Sequence, residues 1–345
     1  MELMLPVNIP DPGVRLHPGA SILSIGSCFT EHIGTALQEL KFRVLQNPSG
    51  ILFDPVSVCR SLQSYLQPQP YSEADVFYLN EAWHSWNHHG RFSGTDRDAV
   101  IGSLNAAQAE AHEFLKSAGW LIITLGSSFS YRLADEDTRP AQPLAAGGGV
   151  ANCHRAPAGW FRKHLLTIDE TVSALDNTLH MLFRFNPALR IIFTISPVRH
   201  IRDGVVENNR SKARLLEAVH HLVGKFDKLY YFPSYELVVD ILRDYRFYAE
   251  DLVHPNYLAT GFVLEHFLKT YVSEEDRKLL EEIRRLNIAR KHKPSFPDTE
   301  AHQKFLAAHL EKATRLQATW PSLDFQKEIQ YFGNTDLDPG PEQGA

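Results

Sequence analysis

The sequence predicts an α/β fold, a parallel sheet flanked by helices, and three observations carry that prediction. Short apolar runs recur at "SILSIG" (21–26), "FRVLQN" (42–47), "WLIITLG" (120–126), "RIIFTIS" (190–196) and "KLYYFP" (228–233), each the length of a buried strand. The longer gaps between them carry a helical period, the alternation of βαβ units rather than of hairpins. The first unit is compact: strand 21–26, a helix over 29–40 with Ile33, Ala36, Leu37 and Leu40 on one face, then strand 42–47.

Further helices are expected over 55–66, 97–117, 169–184, 209–226 and 257–271, with Asp96 and Asp169 as N-cap candidates for two of them. Residues 68–95 mix aromatics, His and Gly without a period. They read as a loop or small hairpin laid over the sheet, and their aromatic content argues against disorder. Residues 134–160 form a second excursion, rich in Gly and Pro. After residue 273 the text becomes charged amphipathic helix, "EEDRKLLEEIRRLNIARKHK" and "TEAHQKFLAAHLEKATRLQ". The chain thus divides into an N-terminal arm (1–20), the sheet domain (21–273) and a C-terminal extension (274–345), helical over 274–320 and poorly ordered over its last dozen or so residues.

A chain of 345 residues, 43% hydrophobic and 22% charged, can bury one large core. Its net charge of −6, with both signs scattered, provides no basic stripe to neutralise phosphates, so nucleic acid is not an expected partner. The N-terminus lacks a basic region followed by an apolar one, and no segment approaches the roughly 18 apolar residues of a membrane span. A cytoplasmic protein that does not bind membranes is expected. Cys28, Cys59 and Cys153 are an odd, low count that fits reduced thiols better than a disulfide framework.

One of those thiols stands where a nucleophile would. In "SILSIGSCFTEHIG" the strand ends at Gly26, and a reactive residue on a strand–turn–helix elbow commonly follows a glycine by two positions, which selects Cys28 over Ser27. The helix beginning beside it offers free N–H groups and a dipole that favour an anion, and such surroundings can lower a thiol pKa toward neutrality. Read alone, Cys28 is equally a small buried cysteine at a strand end. The segment "DYRFYAEDLVHPNYLATG" supplies a base: Asp251 and His254 are three apart on the loop entering a terminal helix, where the carboxylate can hold one imidazole nitrogen while the other faces a nucleophile. Without a partner His254 is a loop residue beside Pro255, and Asp251 a helix cap.

Together these ends look like an SGNH (GDSL-type) hydrolase, with "IGSCFT" aligned on the glycine of "FGDSLT", Ser27 at its aspartate and Cys28 at its serine. More closely, "SIGSCFTEHIG", "NPSGILFDPVSV", "TLGSSFSY", "VANCHRAP", "TISPVRHIRDG", "SKARLLEAV" and "YFPSYELVVDILRDYRFYAEDLVHPN" resemble the GSCFA-domain family over roughly residues 21–271, with Thr30 replacing the alanine of the naming pentad. The resemblance implies a three-layer α/β/α sandwich, flavodoxin-like and SGNH-hydrolase-like, with a parallel five-stranded sheet of order 2-1-3-4-5. It places a crevice at the carboxyl ends of strands 1 and 3, at Gly26–Cys28 and Gly126–Ser128. It implies hydrolase chemistry without naming a substrate.

Acyl chemistry needs donors where negative charge develops. The Cys28 N–H is one, and Gly50 stands at the superfamily's second-block glycine. The third-block asparagine is missing, because Ser128 occupies its place. Asn152 is the best substitute and Asn47 is also available, although either is also an ordinary turn former. His88, His89, His154 and His200 are expected on loops at one sheet edge. With Arg199 they are candidates to bind substrate, Arg199 and His200 by holding a carboxylate or phosphate, although Arg199 could equally form a structural ion pair. Their spacing matches no metal motif, so no metal and no cofactor is expected. The function expected is an ester or thioester hydrolase or acyltransferase. Cys28 is acylated, His254 is general base and acid, Asp251 orients it, and the substrate is a small-molecule or glycan-linked acyl compound. The competing expectation is a binding module that keeps the sheet and has lost the chemistry, with a metal-binding protein behind it.

Overall fold

A computed structural model describes residues 5–134 and 148–333. In chain order the elements are β1 (Ser21–Gly26), α1 (Cys28–Glu39), β2 (Arg43–Gln46), α2 (Pro55–Leu66), the hairpin β3 (Phe77–Leu79) and β4 (Ala82–His84), α3 (Arg97–Ser117) and β5 (Trp120–Leu125). They continue with β6 (Phe129–Leu133), β7 (Gly149–Val150), β8 (Phe161–Leu165), α4 (Ile168–Phe185), β9 (Arg190–Ile195), α5 (Gly204–Val223) and β10 (Leu229–Phe232). The chain ends with α6 (Ser234–Glu236, running on as a π-helical stretch Leu237–Leu242), α7 (Tyr257–Tyr271), α8 (Glu274–Lys291), α9 (Glu300–Thr319) and α10 (Gln326–Gly333). No helix among the described residues is long and apolar enough to cross a membrane.

The central sheet has five strands in the order β2-β1-β5-β9-β10, all parallel. Counting only these strands, that is 2-1-3-4-5. Both faces are buried, so the strands read as continuous apolar runs and neighbouring residues divide between two cores. Ile22, Ile122 and Ile192 pack with Phe29 and Leu37 of α1 and Val263 and Phe267 of α7. Leu23, Ile123 and Phe193 face Leu62 of α2, Leu179 of α4 and Val219 of α5 on the other side.

The C-terminal helices belong to the first of these cores. Ile283, Leu316, Phe325 and Phe332 are buried in it, Lys41 meets Glu328 at 2.7 Å, and Asn287 donates to Glu39 O at 2.7 Å. The extension also runs past the expected residue 320, through α10, while the tail from 334 lies outside the described residues. The N-terminal arm is held in turn: Leu16 is fully buried and its N–H donates to Tyr271 O.

Three local expectations are corrected. Asp169 does not cap α4; Thr167 does, in a capping box with Glu170, whose carboxylate accepts the Thr167 N–H. Helix α5 begins at Gly204 rather than 209, because Val205 and Val206 face solvent and break the apolar period there. Beyond β5 lies a small antiparallel sheet of order β7-β6-β8, hidden in the sequence because its strands are short and "FRKHL" has no fully buried residue. The 68–95 excursion is the β3–β4 hairpin, closed by a Trp83–Gly94 bridge.

Candidate functional site

The turn after β1 is clamped from both sides. Gly26 donates its N–H to Asn47 Oδ1 at 2.9 Å and accepts from Leu52 N, while Ser27 N donates to Thr124 O. Gly26 has φ +140°, and a Cβ there would lie 2.0 Å from Thr124 O, so only glycine fits. Ser27 is consequently turned inward with no exposed surface, and no described residue hydrogen-bonds its Oγ. Cys28, the first residue of α1, is the half-buried one of the pair.

Burial pushes the Cys28 thiol above its ordinary range, and Glu31 adds to the rise; the N–H groups of Phe29 and Cys28 and the charge of Lys212 pull the other way. Desolvation wins, which corrects the expectation of a lowered pKa: the helix terminus is present, but the thiol is too buried to profit fully. Burial pushes the other thiols up as well, Cys153 to about 11 and Cys59 to about 12.

Late in the domain sequence, residues 244–256 fold into an ordered loop. Asp251 Oδ1 accepts the N–H groups of Val253 and His254 at 2.9 and 3.0 Å, and Asp251 Oδ2 meets His254 Nδ1 at 2.6 Å. The backbone and ring donors of His254 and the Val253 N–H together hold the carboxyl at about 2. No described residue bonds His254 Nε2. The helix cap is Asn256, whose Oδ1 accepts from Leu258 and Ala259 N, so Asp251 does not serve there. Arg199 braces this loop: its N–H donates to Val253 O, its guanidinium donates to Leu252 O and lies 4.0 Å from the centroid of the Tyr248 ring.

Lys212, unassigned from sequence, is fully buried beneath the crevice. Its Nζ donates to Gly126 O and Ser196 O, both at 2.6 Å, tying together the segments that leave β5 and β9. Burial brings its pKa down from 10.5 to about 7, and Cys28 opposes the fall. The signal was in the helix period, since Asn208, Ser211, Lys212, Leu215 and Val219 share the buried stripe of α5. Because the unfolded lysine holds its proton to higher pH, wild-type stability should rise between about pH 7 and 10.5 relative to Lys212→Met. Urea unfolding of both proteins at pH 7 and 9.5 checks this; equal changes in both would remove the buried ammonium from the account.

The GSCFA family model matches residues 21–267. The chain belongs to the GSCFA family. A second model, the GSCFA domain protein C-terminal domain, matches residues 283–336, so the extension left outside the resemblance is itself family-specific. No curated protein matches. Solved structures that match include one from Streptococcus pneumoniae described as a candidate platelet activating factor, with 13% identity, 74% of this chain and 84% of that chain covered and a TM-score of 0.37; a likeness at that level carries no functional argument.

Within the GSCFA domain the remaining candidates separate into framework and crevice. The Gly50 N–H is donated to Asn47 O; its φ of +80° and the close approach of His89 Cβ, 2.1 Å from an added side chain, account for the glycine. Gly126 N donates to Phe53 O. Ser128 is buried with its N–H and Oγ bonded to Ser211, which makes it a tie to α5 rather than a stand-in for an asparagine. Asn152 accepts the His154 N–H, and Asn47 holds the Gly26 N–H.

The histidines differ in their partners. His88 is bonded to Ser85 Oγ and His154 to Ser85 O, both within the hairpin's aromatic packing. Burial brings each to about 4, as structural neutral rings. His89 accepts the Arg91 N–H. His200 is the exception. Its ring stands edge-on to Phe53, its Nε2 is buried without a hydrogen-bond partner among the described residues, and that atom lies 3.4 Å from a side chain built at Gly126, where Ser27 Cβ also approaches. Burial, then the charges of Lys212, His254 and Lys163, bring His200 to about 4. The charge of Lys212 thus acts on both Cys28 and His200. Among the described residues no group of three or more His, Cys, Asp or Glu side chains could hold a metal ion.

Proposed function

We propose that the protein is an SGNH-like ester or thioester hydrolase, or an acyltransferase, working through an acyl-enzyme on Cys28. The observation that carries this reading is the 2.6 Å bond between Asp251 Oδ2 and His254 Nδ1. An ionised carboxylate on Nδ1 fixes the tautomer with its proton there and leaves a lone pair on Nε2, which makes His254 a base. Cys28 begins at rest as a thiol, so His254 Nε2 takes the Sγ proton as sulfur attacks the acyl carbonyl. The carbonyl oxygen becomes an oxyanion facing N–H groups of the first turn of α1. Collapse breaks the bond to the leaving group, which His254 protonates. Water or an acceptor alcohol then gives its proton to His254 and attacks the thioester, and the thiol is regenerated.

Iodoacetamide labelling with mass mapping tests the nucleophile. Cys28 should alkylate first, Cys153 slowly and Cys59 last, and Cys28 should slow in His254→Ala. Labelling of Cys153 with Cys28 untouched would sink the proposal.

A second reading, a binding module without chemistry, is supported by the occupied Gly50 N–H and the upward-shifted thiol. Undiminished ligand binding in Cys28→Ala, together with no turnover of short p-nitrophenyl esters by wild type, would favour it.

A further inference from the structure

A cavity of about 280 Å³ opens between the β6–β8 sheet and the segment after β9. Its inner end is made by Phe53, Ser127 and His200, which adjoin the turn carrying Cys28: a side chain built at Gly126 would lie 3.2 Å from Phe53 Cδ1, 3.3 Å from Ser27 Cβ and 3.4 Å from His200 Nε2. Its exposed end is made by Lys163, Arg202 and Asp203, and the rings of Phe129 and Tyr131 form a wall between the two.

Of the charged side chains facing this space, one has no partner among the described residues. Lys163 is paired with Asp203, and its ammonium sits 3.9 Å from the centroid of the Phe129 ring. Asp54 is buried, its carboxylate accepting the Val56 and Ser57 N–H groups as the cap of α2, and burial raises its pKa. His200 at about 4 and Cys153 at about 11 are uncharged near neutrality. Arg202 remains: no described residue hydrogen-bonds or ion-pairs with it, so its five donors are available to a ligand. A guanidinium forks onto two oxygens of a carboxylate or phosphate, which a neutral substrate cannot offer.

We propose that this cavity is a subsite for an anionic group of the substrate, a carboxylate or a phosphate, recognised by Arg202, with Phe129 and Tyr131 walling the carbon chain that links the anion to the reacting carbonyl. The proposal rests on the Cys28 reading for the position of that carbonyl. It assigns the protein anionic acyl substrates rather than simple fatty or acetyl esters.

Calorimetric titration of wild type, Cys28→Ala and Arg202→Ala with phenyl phosphate and with benzoate, against benzyl alcohol as the neutral control, tests the subsite without turnover. Wild type and Cys28→Ala should bind an anion alike, and Arg202→Ala should bind it about tenfold more weakly. The tighter of the two anions identifies the group the subsite takes. Anions that bind no better than benzyl alcohol, or equally to Arg202→Ala, overturn the proposal. In the turnover arm, Arg202→Ala should raise KM about tenfold for mono-p-nitrophenyl glutarate and leave p-nitrophenyl butyrate unchanged. Arg202-dependent anion binding with neither ester turned over would uphold the subsite and count against the Cys28 mechanism instead.

Discussion

Cys28→Ala is expected to abolish ester turnover, and His254→Ala to lower kcat/KM by roughly 10²–10⁴-fold, the range that a positioned general base supplies. Because Cys28 sits above its ordinary pKa, it cannot rest as a preformed thiolate, and proton removal must accompany attack. The orienting carboxylate then matters more than it would beside a thiolate–imidazolium pair. Asp251 and His254 are nonetheless about half exposed, which screens their coupling. A loss of about tenfold is therefore expected for Asp251→Ala, smaller than for His254→Ala. The double variant Cys28→Ala/His254→Ala should be no worse than Cys28→Ala, since the two act as a unit.

The pH profile separates the roles. A carboxyl held at about 2 stays ionised through the whole working range, so an acid limb in kcat/KM does not belong to Asp251. The sign for stability is the same: the depressed carboxyl supports the 244–256 loop above its unfolded pKa near 4, and that support is lost as pH falls toward 2. Initial rates across pH 4–9 for wild type and the four variants check the ordering; an Asp251→Ala loss exceeding that of His254→Ala would reverse the assignment.

Gly26→Ala is expected to be the most damaging single change in the sheet, by about 3–5 kcal/mol, combining backbone strain at positive φ with an overpacked contact. The added methyl would meet Thr124 O at 2.0 Å, and Thr124 is the residue paired with Gly26 across β1 and β5. Neither strand can move without disturbing the central ladder. Against a typical stability of about 5–15 kcal/mol this approaches unfolding. Gly102→Ala in α3 is the control: nothing lies within 4 Å of its Cβ, and helix propensity favours the change by up to about 1 kcal/mol. Denaturant midpoints measure both; a Gly26→Ala midpoint equal to wild type would mean that the turn is not built as described.

What the sequence determined by itself was the periodic part of the molecule. Runs such as "WLIITLG" and "RIIFTIS" are buried on both faces and have no competing structure, so strands and the helices between them could be read nearly to their ends. The Gly26 offset separated Cys28 from Ser27, and the Asp251–His254 spacing was short enough to imply their bond. The tertiary structure decided what long-range burial decides. Cys28 is pushed up because α1 packs against the sheet. The Gly50 N–H is spent on its own turn, His88 and His154 are neutral parts of a hairpin core, and Arg199 braces the 244–256 loop. Lys212 shows the division most clearly. Its place on the apolar stripe of α5 is legible in the period, but a lysine there becomes a buried tie between two strand ends only because Gly126 O and Ser196 O, about 86 and 16 residues away in the chain, converge on it. Desolvation and convergent hydrogen bonding depend on which distant segments meet, and a local pattern contains no record of that.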